Sequence, residues 1–143
     1  MEANKNVFTL PVTAETVDRK LARRWGGHDV LFAKPDGWVG VPVSFLRSYG
    51  SLKPYALTVA EAMFVVQVMA YKWSDKAPFP SYSTLAKRMG VSAKMVQRYA
   101  KQLEEKGYLK REVRIGSSNA INLQPLFDAL AAAIHQEGKA EVA

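Results

Sequence analysis

Residues 80–109, PSYSTLAKRMGVSAKMVQRYAKQLEEKGYL, decide the fold of this chain, because they carry two stretches of helical periodicity joined by a three-residue turn. Ser81 stands where its hydroxyl can cap the first free amides of a helix, and Leu85, Ala86 and Met89 then recur at helical spacing. Gly90 stops that helix, since glycine enters the left-handed conformation without a Cβ penalty. Val91 can plug the corner, and Ser92 is placed to cap a second helix over residues 93–106. In that helix Val96, Tyr99 or Ala100, and Leu103 make one apolar stripe. Lys94, Gln97, Arg98 and Lys101 lie on the other side, and Gly107 closes the helix. The period then changes. Residues 108–115 and 120–123 read as two strands with β-branched residues, joined by a turn at Gly116, Ser117, Ser118 and Asn119.

Two helices at a tight turn with a hairpin behind the second resemble the winged helix-turn-helix superfamily. The resemblance is carried by the run LAKRMGVSAKMVQRYAKQLEEKGYL, residues 85–109, and the charged hairpin after it. An ordinary helical hairpin in a mixed domain is the alternative reading. The resemblance implies a mainly α fold with a small β wing (α+β), a winged helix-turn-helix with extensions at both ends. It also implies a double-stranded DNA partner, with the helix over residues 93–106 in the major groove. Ser92, Ala93, Lys94, Gln97 and Arg98 are then the residues expected at base edges, because Arg and Lys match guanine acceptors and Gln can bond adenine twice. Ser81, Ser83, Thr84, Lys87 and Lys101 are expected at phosphates. Wing residues Arg111, Arg114, Ser117, Ser118 and Asn119 should reach the neighbouring minor groove or its backbone. Each charged residue could instead be solvated surface, and Arg98 could pair with Glu104 or Glu105.

Charge supports a polyanion partner. Between Lys72 and Arg114 stand eleven Lys or Arg against four Asp or Glu, so the whole formal excess of +7 falls in the segment that the pattern already marks. Length and composition fit one compact globular unit: 143 residues, 48% hydrophobic, are enough for one buried core.

Several classes are disfavoured. With no cysteine, disulfides and thiolate metal sites are excluded, and His28 and His135 read as surface residues rather than metal ligands. No metal or cofactor is expected. The longest apolar stretch, residues 62–70, is broken by Gln67 and too short to span a bilayer, and the first residues lack a secretory apolar region. No membrane partner and a cytoplasmic location are expected. A phosphate-cradling glycine loop, a nucleophile elbow and paired carboxylates are all missing from the sequence, so no catalytic residues are assigned.

The flanks add detail. Thr58 and Glu61 form a capping box that opens a helix from Val59 to about Lys72, apolar nearly all round and therefore central. Trp73, Ala77, Pro78, Phe79 and Pro80 make a rigid, aromatic connection. Residues 40–57 read as a strand or extended entry followed by a short helix that starts after Ser44 and ends near Gly50. Val41-Pro42 with Phe45-Leu46, Leu57-Thr58 with Glu61, and the closing Asn122, Leu123, Pro125 and Leu126 are together similar to DNA-binding domains of plasmid and phage replication initiators and related mobile-element regulators. That likeness, over about residues 40–130, implies an origin- or operator-binding role.

Nearer the start, residues 7–12 read as a strand and residues 14–25 as a helix with Val17, Leu21 and Trp25 on one stripe. Its basic face is read as solvated, the alternative being a grip on flanking phosphates. Residues 30–32 and 38–41 suggest a small hairpin around Asp36-Gly37. At the other end Leu123, Leu126, Phe127, Leu130 and Ile134 give a stripe on a helix opened by Pro125, with a frayed tail from Gln136. That stripe either closes the monomer core or pairs two copies. Three segments result: an extension over residues 1–57 packed on the core, the winged helix-turn-helix over 58–123, and a terminal helix and tail over 124–143. Two function classes stay in play: a sequence-specific DNA binder acting in transcription or replication, as a monomer or a homodimer and with a replication or transcription protein as a candidate partner, and a winged-helix protein adaptor in a replication or DNA-processing assembly.

Overall fold

The computed structural model describes residues 19–33, 37–71, 78, 80–116 and 119–142. The expected strand over residues 7–12, Val17, and most of the Trp73–Pro80 connection lie outside them. Two compact units divide the chain, one up to Gly40 and one from Val41 onward.

In the second unit α2 (Val43–Ser48) runs into a 3-10 turn over Tyr49–Ser51, and α3 (Val59–Met69) follows. Next come α4 (Tyr82–Met89), α5 (Ala93–Glu105), β1 (Lys110–Glu112), β2 (Ala120–Asn122) and α6 (Gln124–Val142). Helix α3 is central, packing against both α4 and α5, while α2 packs on α6. Phe64, Val65 and Val68 of α3 are wholly buried with Leu85, Val96, Ala100, Leu103 and Leu126. Phe45 of α2 stacks on Tyr49 with ring centroids 5.6 Å apart and meets Phe127 of α6. Residues 41–57 thus supply Phe45, Leu52 and Leu57 to the same core.

Helix α3 starts where the capping box places it. Thr58 Oγ1 accepts the Glu61 N–H at 3.1 Å, and Glu61 Oε1 accepts the Thr58 N–H at 2.8 Å. The Glu61 side chain is buried, and Lys106 Nζ donates to Oε1 at 2.6 Å and to the Ala56 carbonyl at 2.8 Å. Beside this pair the Tyr108 hydroxyl accepts the Tyr55 N–H and donates to the Tyr55 carbonyl. The end of α5 is therefore latched to the start of α3, and the angle between them is held by polar bonds as well as by packing.

Several expectations change. Helix α3 ends at Met69, and its early outward edge, Val59 and Met63, is exposed, so the helix is not covered all round. The strands shrink to three residues each, in register Lys110↔Asn122, Arg111↔Ile121 and Glu112↔Ala120. Tyr108 and Leu109 are instead core residues, and Val113 to Ile115 leave the ladder. The α2 helix begins at Val43, directly after Pro42, which serves as its N-cap. Helix α6 continues to Val142, so the tail is helical through residue 142, and Pro125 takes an early position where its missing N–H costs nothing. Leu126 and Leu130 are buried on the core while Phe127 and Ile134 are half-buried.

In the first unit only α1 (Arg19–Arg23) of the expected helix falls in the described residues. It ends two residues before Trp25, which stands 68% exposed in the following turn, so the buried position is Ala22 and not the tryptophan. Gly26 and Gly27 both have positive φ there, and the Gly27 N–H closes the turn on the Ala22 carbonyl at 2.9 Å. No hairpin forms among the described residues of this unit. Residues 29–31 coil into a 3-10 turn and residues 37–40 are irregular. Short apolar runs have no fixed partner in sequence, and here local turn bonds prevail over pairing.

The second unit is a winged helix-turn-helix: a central helix, two helices at a tight turn, and a two-stranded antiparallel wing.

Candidate nucleic-acid interface

Local chemistry sets the geometry of the turn. Ser81 Oγ accepts the Thr84 N–H at 3.1 Å and thereby caps α4. At the other end Gly90 takes φ 71° and ψ 33°, and the N–H groups of Gly90 and Val91 both donate to the Ala86 carbonyl. Ser92 Oγ then accepts the Met95 N–H at 3.1 Å, so α5 starts within three residues of the end of α4. Capping at both sides of so short a turn leaves the second helix little freedom in direction.

Helix α5 buries Val96, Tyr99, Ala100 and Leu103, both aromatic and alanine positions of the expected stripe. Its outer face carries Ser92, Ala93, Lys94, Gln97, Arg98 and Lys101, all exposed. Positions 94, 97, 98 and 101 follow helical spacing and form one polar, cationic strip. Such a strip can hydrogen-bond base edges from its early part and neutralise phosphates from its later part. Glu104 and Glu105 follow at the far end and would repel a duplex if left bare.

Glu104 is not bare. Arg111 of β1 donates from Nη2 to Glu104 Oε1 at 2.6 Å, with Nε at 3.4 Å from Oε2. That hydrogen bond, more than the charge attraction, holds the Glu104 carboxyl below the usual range, against an opposing effect of burial. The same bond raises the Arg111 guanidinium, again against burial, with the Tyr82 hydroxyl contributing. Arg111 accordingly ties the wing to α5, and Arg98 has no ion-pair partner among the described residues.

Of the other expected phosphate contacts, Ser83 and Lys87 are exposed on α4. Ser81 and Thr84 are half-buried and bonded to one another, hydroxyl to hydroxyl at 2.9 Å, so their first task is the cap. In the wing Asn119 is exposed and Arg114 half-buried, while Ser117 and Ser118 lie outside the described residues. Strand β1 is exposed along its length whereas β2 packs inward with Ala120 and Ile121 buried. The Ile121 N–H donates to the Pro78 carbonyl at 2.7 Å, which fixes the segment leading into α4 along the inner strand.

Sequence reasoning missed Glu104 as the partner of Arg111, and Tyr82 as its neighbour. The outward-facing acids Glu104 and Glu105, between Lys101 and Lys106, were the available signal. It also passed over Val113 and Ile115, which are 84% and 102% exposed on the wing.

A family described as a helix-turn-helix domain matches residues 55–109, the segment from the Tyr55 clamp to Leu109, just before β1. Among solved structures the chain is similar to the N-terminal domain of DnaD protein from Geobacillus kaustophilus HTA426, at 22% identity. The TM-score is 0.58, over 87% of this chain and 96% of that one. That likeness is one of fold. No curated protein matches the sequence.

Proposed function

We propose that this chain is a sequence-specific double-stranded DNA-binding protein without catalytic activity. It acts in the cytoplasm as a transcriptional regulator or replication-initiation factor of a plasmid or phage. The observation that carries the proposal is the outer face of α5. Lys94, Gln97, Arg98 and Lys101 stand exposed on a helix whose direction is fixed by caps at both sides of its turn. Residues 72–114, which include this helix, hold the whole positive excess of the chain. The match of residues 55–109 to a helix-turn-helix domain family supports a duplex as the ligand, and the initiator-like flanking motifs support the mobile-element role.

Selection of duplexes from a random pool by the purified chain, at near-physiological salt with competitor DNA, tests this reading. An enriched motif is the expected result, and a palindrome would mean a dimer with one motif per half-site. Retention without a motif would refute specific readout.

A protein adaptor is the second reading. Val59 and Met63, one helical turn apart on α3, and Tyr55 before it are exposed apolar side chains, and such residues fit a protein partner.

A further inference from the structure

Among the described residues of the second unit, the most exposed large apolar side chains are Val113 and Ile115, at 84% and 102%. Both lie just beyond the last ladder pair of β1, Glu112↔Ala120, and before Gly116, whose φ of +76° turns the chain back. Neither belongs to the core or to the half-buried residues packed on it. A β-branched pair there contributes nothing to the fold, and water meets it on nearly all sides. Single exposed hydrophobes are ordinary on protein surfaces. What sets these apart is their place. They project from a hairpin arm that also carries Lys110 and Arg111, and the Arg111–Glu104 pair anchors that arm beside the exposed edge of α5. A duplex whose major groove holds α5 presents its minor groove on either side of that helix.

The minor groove is a narrow slot with apolar deoxyribose walls, and it admits apolar wedges that part a base step. Lys110, exposed on the arm, suits a phosphate at its rim. We propose that Val113 and Ile115 form an apolar tip that enters the minor groove beside the site read by α5, packs on its sugar walls, and opens a flexible pyrimidine–purine step. The tip reads deformability, so flanks of A·T pairs with TA steps are preferred over G·C flanks without any base-specific hydrogen bond. This inference rests on the DNA-binding reading above and names residues of that interface that carry no charge.

The test uses the full chain and the duplex enriched by selection, with its centre kept constant and its flank changed from A·T to G·C. Val113→Ser/Ile115→Ser, both fully outside the core, should leave the thermal unfolding curve unchanged and weaken binding to the A·T-flanked duplex about tenfold. The preference between flanks should vanish, and Ile115→Leu should restore most of it. The salt slope should stay as in the wild type, because no phosphate contact has been removed. With 2-aminopurine at the flanking step, wild-type protein should raise fluorescence and the double variant should not. Equal affinity and equal flank preference in the variant, with specific binding by the wild type intact, would overturn this proposal alone. A wild-type chain that enriches no duplex would overturn both it and the DNA-binding reading. A change of oligomeric state in the double variant would overturn it in favour of a protein-facing wing.

Discussion

Lys106→Met probes the latch between the end of α5 and the start of α3. Glu61 is fully buried, and Lys106 is its counter-charge at 2.6 Å, with a lysine side chain only 23% exposed. The second oxygen, Oε2, has no hydrogen-bond partner among the described residues, so Oε1 and Lys106 carry the accommodation of the charge. Removing one member of a buried pair and leaving the other costs about 3 to 5 kcal/mol. Because Thr58 still donates to Oε1, and because the lysine reaches solvent, the lower end, about 3 kcal/mol, is expected. Glu61→Gln keeps an oxygen for the Thr58 cap and leaves an ammonium that can turn toward water, so it should cost only about 1 to 2 kcal/mol. In the double variant the stranded carboxylate is gone, and its cost should fall below the sum of the singles by about 2 kcal/mol. Urea unfolding of all four proteins at neutral pH gives the cycle. A Lys106→Met cost under about 1 kcal/mol, or strict additivity, would refute the view that this pair holds the helix in place.

Gly90→Ala adds a Cβ that meets nothing within 4 Å, so its cost is purely that of the φ of +71°; a loss of about 1 kcal/mol in urea unfolding is expected, and no loss would mean the turn readily changes conformation. Glu104 has a depressed carboxyl pKa, so its pairing with Arg111 stabilises the fold above the ordinary glutamate range and is lost as pH falls through the depressed value. With both side chains more than a third exposed, the pair should contribute under about 1 kcal/mol at neutral pH. Wild type and Glu104→Gln should therefore converge in stability on acidification, and a constant gap would remove the pair from the account. Arg98→Ala should weaken binding to the selected duplex by roughly 1 to 3 kcal/mol and relax preference at one base pair, whereas an equal loss on every sequence would make it a phosphate contact. Lys101→Ala should lower the salt slope by about one unit, measured by fluorescence anisotropy across a salt series.

The recognition motif was legible in the sequence because every signal that defines it is local. Ser81, Gly90, Ser92 and Gly107 act on their own neighbours, and hydrogen bonds between residues three to five apart do not depend on the rest of the chain. The capping box at Thr58 and Glu61 and the buried stripe of α5 were readable for the same reason. Polar and cationic residues opposite that stripe were bound to face outward, so the exposure of Lys94, Gln97, Arg98 and Lys101 followed from periodicity alone. Long-range partners were not legible. Lys106 finds Glu61 across forty-five positions, and Tyr108 clamps Tyr55 across fifty-three, distances at which sequence carries no pairing signal. The extent of the wing was decided the same way. Residues 108–115 have strand composition throughout, yet the core takes Tyr108 and Leu109, the short inner strand limits the ladder to three pairs, and Val113 and Ile115 are left in water. A hydrophobic side chain states that it gains from burial; only the packed chain determines whether a place is left for it.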